Sequence, residues 1–237
     1  IITLIEQGAM GLANRFLPLA LYTDDQQNGK GQRGNLWNGE TDKNIAMTLA
    51  FPILSTQNID LVLLNKALSV GVLRPLQNVI REKLFLKWPN DIYIGRKKLG
   101  GILLEMLGDP AGYCSVVVGI GINVSMPSQA AAAIDQDWTD INSQLAQPIS
   151  RNRLAAALIS HILCLLDSFQ ASGFGPYRDE WQSADAFAGQ QATVTTVRDA
   201  ISGTVVGVDS GGALEMKLAS GEIQRFIGGE LSLRLAK

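Results

Sequence analysis

The chain has 237 residues, 46% of them hydrophobic, enough to bury a sizeable core in one or two domains. A formal net charge of −2 and only 18% charged residues give no basic bulk signature of a nucleic-acid binder. No uninterrupted apolar run approaches the about 18 residues that span a membrane, and no basic region leads into an apolar stretch and cleavage site, so the expectation is a cytoplasmic protein with no membrane or nucleic-acid partner.

Residues 2–15 (ITLIEQGAMGLANR) read as a weak helix, the remainder of a longer element. Leu17–Thr23 reads as a short strand, and the polar, glycine-rich stretch Asp24–Gly39 as a loop. Asn44–Leu54 alternates Met47, Leu49 and Phe51 as a strand does. Leu61, Leu64, Leu68 and Val72 give Ile59–Leu73 one buried helical stripe, which Pro75 should end or kink. Strand-like runs follow at Leu84–Lys87, Ile92–Ile94 and Leu99–Leu107, the last two joined as a hairpin by Arg96, Lys97 and Lys98. Tyr113–Val124 is near-continuously apolar, as a strand covered on both faces would be.

Residues 126–149 are polar and rich in alanine and glutamine, and read as short helix and loop. Ser150 can cap a helix to Ala171 with a core stripe of Leu154, Leu158, Ile162, Leu165 and Phe169, and a further helical turn runs to about Trp181. His161 lies among Leu158, Ile162 and Leu165, so a structural role is expected rather than one in nucleophilic catalysis. Cys114 and Cys164 also sit in apolar runs and are expected as buried free thiols, not as a disulfide or zinc site. Beyond Gly189 come five short strands separated by glycines, with turns at Asp209–Gly212 and Ser220–Gly221, the pattern of a small SH3-like barrel that packs on the main domain. The expected division is 1–187, an α+β domain of strands and helices, and 188–237, the barrel.

Three blocks could carry chemistry. In Gln26–Trp37, alternate glycines expose backbone N–H groups to an anion, Lys30 and Arg33 add positive charge, and Trp37 could stack on a ring. A solvated surface loop is the alternative, and the spacing is not that of a P-loop. In Lys87-Trp88-Pro89-Asn90-Asp91, followed by Lys97-Lys98-Leu99-Gly100-Gly101, an ammonium stands at the end of an apolar strand, either snorkelling to water or facing a buried anion. Gly119-Ile120-Gly121-Ile122-Asn123 places two glycines on one face of a strand, which clears room for a flat ligand or marks a bulge.

Together these blocks, and the closing Gly229-Glu230-Leu231-Ser232-Leu233-Arg234, resemble the biotin protein ligase family in order and spacing, strongly over residues 20–124 and more loosely over 189–237. The resemblance implies a catalytic domain similar to the class II aminoacyl-tRNA synthetases, with a mixed sheet and helices. It implies an ATP- and Mg²⁺-dependent enzyme that converts biotin to biotinyl-5′-adenylate and transfers it to a lysine of a biotin carboxyl carrier domain of a carboxylase. It implies Lys87 and Arg33 as catalytic cations, with Gln26, Gly29, Lys30, Gly31, Gln32, Gly119 and Gly121 around biotin. Trp37, Lys98, Asn123, Glu230 and Arg234 would meet the nucleotide, and Asn90 and Asp91 are candidate Mg²⁺ ligands. A homodimer paired through the central sheet is a further expectation, as is a monofunctional ligase without an N-terminal winged helix.

The chain departs from the family at two points. The family loop reads Gly-Arg-Gly-Arg-x-Gly, where Lys30 and Gln32 stand here, and an upstream Ser-Thr-Asn block is not found. Lysine keeps the charge but loses the bidentate fork, and glutamine loses the charge. Two other readings stay open on the residues: a lipoate or octanoate ligase or transferase of the same fold, and a non-catalytic biotin-binding sensor.

Overall fold

The computed structural model of the chain describes residues 19–34, 36, 37, 39, 41–54, 59–108, 113–127, 136–196, 199–227 and 232–235. The expected helix at 2–15, Glu230, and residues 128–135 of the polar linker lie outside the described residues, as does the side chain of Arg33.

Strands β1 (Leu19–Thr23), β4 (Asn44–Leu54), β5 (Leu84–Lys87), β6 (Asp91–Ile94), β7 (Lys97–Gly108) and β8 (Tyr113–Asn123) form a six-stranded sheet in the order β1-β4-β8-β7-β6-β5. Each of these pairings is antiparallel, and parallel bridges Leu86–Asp185 and Lys98–Trp138 add to it. The stretch Asp24–Gly39, expected as loop, holds a small hairpin of β2 (Gly29–Lys30) and β3 (Leu36–Trp37) around a 3₁₀ turn at Gln32–Gly34.

Alternation along the strands sorts side chains to two faces. Ile45, Met47 and Leu49 of β4 and Val116, Val118, Ile120 and Ile122 of β8 are buried in the core with the helices. On the other face Val117 is buried, while Thr48, Gly119 and Gly121 are half-buried along a cleft, so β8 is covered differently on its two sides.

Helix α1 (Leu61–Gln77) begins at Asp60, whose Oδ1 accepts the N–H groups of Val62 and Leu63 at 2.8 and 3.1 Å. Pro75 does not end it; the helix runs two residues further. Nor does α1 bury one stripe. Lys66, Ala67, Leu68, Ser69, Val70, Gly71 and Val72 are all buried, because α2 (Arg151–Ser172) and α3 (Gly175–Ser183) cover the faces the sheet leaves. Close approach is the reason for Gly71: a Cβ there would stand 2.7 Å from Leu165 Cδ1.

In α2 the stripe Leu154, Leu158, Ile162, Leu165 and Phe169 is buried as expected, and Ser150 Oγ accepts the Arg153 N–H at 3.4 Å. Cys114 is buried, but Cys164 is exposed: it falls outside that stripe on the solvent side. His161 is half-buried and bonds the Ala157 carbonyl one turn back, at 2.9 Å. By length and composition α2 is long and apolar enough to cross a membrane, which a search for uninterrupted apolar runs does not register. Here its apolar stripe packs in the core.

Strands β9 (Gln191–Thr195), β10 (Ala200–Val208), β11 (Leu214–Lys217), β12 (Ile223–Phe226) and β13 (Ser232–Leu235) form a second, antiparallel sheet in the order β12-β11-β10-β9-β13. Val194, Val205, Leu214, Met216, Phe226 and Leu233 bury its inner side. The β10–β11 turn is shaped by Asp209, whose Oδ1 accepts from Gly211 and Ala213, and by Gly212 at φ 75°. A Cβ on Gly212 would lie 3.0 Å from Val62 Cγ1, so this turn packs on the first turn of α1.

Candidate active site

A cleft of about 1460 Å³ opens on the sheet face away from the helices. Three segments separated in sequence line it: Gln26, Lys30, Gly31, Gln32, Gly34 and Trp37 from the hairpin; Lys87–Asp91, Tyr93, Arg96 and Lys98 from β5, β6 and β7; and Gly119, Gly121 and Asn123 from β8. Ala186, Phe187 and Arg234 close one end. Of the residues singled out in the sequence, Gly29 does not line the cleft. It is buried opposite Trp37 in the β2–β3 pair, where a Cβ would meet the Trp37 carbonyl.

Lys87 ends β5. Leu84 and Leu86 point into the core, so alternation sends Phe85 and Lys87 to the cleft. The Lys87 side chain is only 16% exposed. Its Nζ donates to the Tyr93 hydroxyl at 3.3 Å, stands 3.9 Å from Asp91 Oδ2, and lies 5.4 and 5.8 Å from the ring centres of Tyr93 and Phe187. Lys98 Nζ pairs with the other oxygen, Asp91 Oδ1, at 2.8 Å. One carboxylate thus bridges two ammonium groups, and this corner of the cleft keeps a net positive charge for an incoming anion. Burial and the nearby Asp91 push the Tyr93 phenol well above its ordinary range, so it stays protonated beside Lys87.

The turn after β5 is fastened from both sides. Asn90 Nδ2 donates to the Ile102 carbonyl at 2.5 Å and the Ile102 N–H returns to the Asn90 carbonyl at 3.0 Å. From below, Lys66 Nζ donates to the Pro89 carbonyl at 2.5 Å. The Trp88–Pro89 peptide is cis, and Trp88 is buried. Much of the Asn90 amide is therefore committed to the fold, and Asp91 to two lysines. Among the described residues no group of three His, Cys, Asp or Glu side chains is placed to hold a metal ion. The Asp91 carboxylate in this corner suits an Mg²⁺ ion carried mainly by phosphates and water, which needs only one or two protein carboxylates.

The two glycines of β8 behave differently. Gly119 is open to the cleft; a Cβ there would lie 3.6 Å from Leu103, an ordinary contact. Gly121 has Ala46 and Gly101 as its cross-strand neighbours, and the Trp37 indole already lies on this row of small residues, 2.5 Å from where a Gly121 Cβ would be. The cleared face is occupied by protein at Gly121 and free at Gly119. Lys98 Nζ stands 6.0 Å from the Trp37 ring centre.

Sequence reasoning missed Trp138. The Lys98 N–H donates to Asp137 O and the Thr139 N–H to Lys98 O, both at 2.9 Å, stitching 137–139 beside β7 and placing the half-buried Trp138 in the cleft wall. Asn123 Nδ2 donates to Thr139 O at 3.1 Å and holds the same segment. The available signal was a lone aromatic in a polar linker. Arg151 was missed too. Its Nη2 pairs with Asp24 at 2.7 Å and Asp42 at 3.0 Å, and Nη1 donates to Asn44 O at 3.0 Å, tying both ends of the glycine-rich segment to α2.

The chain is similar in sequence and in fold to known proteins. Residues 18–123 match the biotin/lipoate A/B protein ligase family, and residues 187–234 match the biotin protein ligase C-terminal domain. The chain is 30% identical over 218 residues to the bifunctional ligase/repressor BirA of Escherichia coli, covering 92% of this chain and 67% of that protein. It is 30% identical over 144 residues to the biotin–[acetyl-CoA-carboxylase] ligase of Paracoccus denitrificans, 59% of each chain. The solved biotin protein ligase of Aquifex aeolicus, in complex with biotin and ATP, superposes with a TM-score of 0.78 at 25% identity, covering 92% of this chain and 89% of that one. On its sequence and its fold, this chain belongs to the biotin protein ligase family.

Proposed function

We propose that this chain is a biotin–[biotin carboxyl-carrier protein] ligase. The biotin carboxylate oxygen attacks the α-phosphorus of ATP, the bond to the β-phosphate oxygen breaks, and biotinyl-5′-adenylate and pyrophosphate result. A lysine amine of the carrier domain of a biotin-dependent carboxylase then attacks the acyl carbon and AMP leaves. The observation that carries the reading is the Lys87 ammonium, held at the end of β5 inside a cleft whose walls are the Gln26–Gly34 segment and the Gly119–Gly121 backbone.

A carboxylate and a triphosphate repel each other. A fixed cation between them lowers that repulsion and stabilises charge as it develops, most effectively where water is excluded. Lys87 takes that role, and Tyr93, which keeps its proton, orients the ammonium without competing for charge. Gln26, Lys30, Gly31, Gln32 and Gly119 surround biotin, with Gly29 shaping the hairpin behind them and Arg33 a second catalytic cation. The nucleotide lies along Trp37, Asn123, Lys98 and Trp138, and along Gly121, which was expected at biotin but is covered by the Trp37 indole. Arg234 lines the same cleft, and the resemblance assigns Glu230 to the nucleotide as well. Asp91 and Asn90 would approach Mg²⁺ bound to the triphosphate; the ion would supply neutralising charge for the departing pyrophosphate. The cleft exceeds the about 300–1,000 Å³ usual for one small ligand, in keeping with two substrates held together.

The finer architecture we propose is a class II synthetase-like sheet domain over 1–187 and an SH3-like barrel over 188–237, the whole soluble in the cytoplasm. A homodimer through the central sheet, and no nucleic-acid or membrane partner, complete the reading. The test is isotope exchange between ATP and pyrophosphate. Exchange that appears only when biotin is added, followed by biotin incorporation into a carrier domain, is the expected result. Exchange supported by lipoate or octanoate and not by biotin would overturn it.

A further inference from the structure

Below the Trp88–Asn90 turn lies a pair of charged groups that the reaction itself does not touch. Lys66, in the middle of α1, is 2% exposed. Its Nζ donates to the Pro89 carbonyl at 2.5 Å and stands 5.5 and 5.6 Å from the ring centres of Trp88 and Trp181. Asp185, 8% exposed, accepts the Phe187 N–H on Oδ1 at 2.9 Å, while its Oδ2 has no hydrogen-bond partner.

Packing alone does not account for this pair. An unbranched apolar side chain would fill the Lys66 space without the cost of desolvating an ammonium, and buried ion pairs are commonly no more stable than apolar replacements. Burial lowers the Lys66 ammonium to about 7 and raises the Asp185 carboxyl to about 6, so desolvation outweighs their mutual attraction. What each group does supply is directed hydrogen bonding: Lys66 to the Pro89 carbonyl, and Asp185 to the backbone at Phe187 and Ala188. Lys66 holds the peptide oxygen between Lys87 and Asp91, on the side opposite the β7 fastening at Ile102. Asp185 holds the backbone of Phe187, whose ring centre lies 5.8 Å from Lys87 Nζ. The two groups thus fix two segments that neighbour one ammonium.

We infer that Lys66 and Asp185 are positioning residues for the adenylation step: Lys66 anchors the Pro89 carbonyl and Asp185 the Phe187 backbone, and together they hold the Lys87 ammonium at its place in the cleft. This rests on reading the cleft as the adenylation site. Displacement of a reacting group by about 1 Å costs on the order of 100-fold in rate.

The test compares wild type, Lys66→Met and the double variant Lys66→Met/Asp185→Asn in ATP–pyrophosphate exchange with biotin, alongside thermal melting. Methionine fills the space without a donor; asparagine keeps the acceptor for Phe187 and removes the charge, and Asp185→Ala, assayed alongside, removes the acceptor. The expected result is a melting temperature equal to or above wild type in the double variant, with kcat down about 10–100-fold and KM for biotin and ATP unchanged. A structural role would move melting and kcat together. Wild-type kcat in Lys66→Met, in the double variant or in Asp185→Ala overturns the inference, as does failure of the double variant to fold. Absence of biotin-dependent exchange in the wild type overturns the reading of the cleft and this inference with it.

Discussion

The Trp37 indole lies against the backbone of Gly121 so closely that a Cβ added there would stand 2.5 Å from Cε2 and Cζ2 of the ring. The alanine variant must push out the indole and, with it, the β2–β3 hairpin, whose other strand carries Lys30. Gly121→Ala is therefore expected to weaken ATP binding at least tenfold, while overpacking destabilises the fold by about 1–3 kcal/mol. Gly119→Ala, with 3.6 Å to Leu103, should melt as wild type. Titration calorimetry with a non-hydrolysable ATP analogue and thermal melts measure both. Equal ATP affinity in Gly121→Ala and wild type would show that the stack is dispensable.

Lys87 is held by Tyr93, Asp91 and the faces of two rings, but its methylene stem makes little of the core. Lys87→Ala is expected to lower biotin-dependent pyrophosphate exchange by about 10²–10³-fold, the range found when one preorganised electrostatic group is removed. Melting should change little. A variant with more than a tenth of the wild-type rate would move the catalytic role to another cation.

The strands and helices of the main sheet could be read from periodicity because each has one face against a common core. The departures arise where a third body covers an element. The polar Lys66 looks like the solvent side of a helix in a one-stripe reading, yet the β10–β11 turn, Trp181 of α3 and the Trp88 turn bury it. Trp37 on Gly121 and Trp138 beside Lys98 are contacts across about 84 and 40 residues of chain, invisible to any local pattern. The cleft residues were legible for a different reason. Buried lysines at strand ends and glycines within strands violate local rules, and such violations gather at functional sites.

Gln32 lies in the 3₁₀ turn of the hairpin, half-buried in the cleft wall, where the family loop carries an arginine. Glutamine offers an amide where a guanidinium would offer charge and a bidentate fork. The adenylate is expected to escape faster from this protein than from Gln32→Arg. Release of labelled adenylate from preloaded enzyme measures it, and the same rate in both proteins rejects the idea.

Arg151 occupies the first residue of α2, where the helix dipole disfavours a cation. Its contacts to Asp24, Asp42 and the Asn44 carbonyl, and to the Tyr22 ring at 5.6 Å, explain its presence. Asp24 and Asp42 are 63% and 64% exposed, so each pair contributes only about 0.2–1 kcal/mol. Arg151→Ala should therefore leave the global fold nearly as stable. It should instead free the Asp24–Asp42 segment, raise KM for biotin and open that segment to limited proteolysis. Unchanged cleavage there would mean that the β2–β3 hairpin holds itself.

The buried pair also sets a pH signature. An unfolded lysine keeps its proton to about 10.5, whereas folded Lys66 releases it near 7, so between these values the unfolded chain binds more protons and stability rises with pH. For Asp185 the folded carboxyl holds its proton to about 6 against 3.8 unfolded. In that window the folded chain binds more protons, so stability falls as pH rises, and the loss persists above 6. Between about 6 and 7 the folded protein carries both desolvation penalties; on either side it carries one. Lys66→Met/Asp185→Asn removes both. Its melting temperature should exceed that of wild type most near pH 6–7, and the gap should narrow toward pH 4 and pH 10. Groups common to both proteins cancel in this difference. A gap that stays constant across the range would mean that neither group changes its proton affinity on folding.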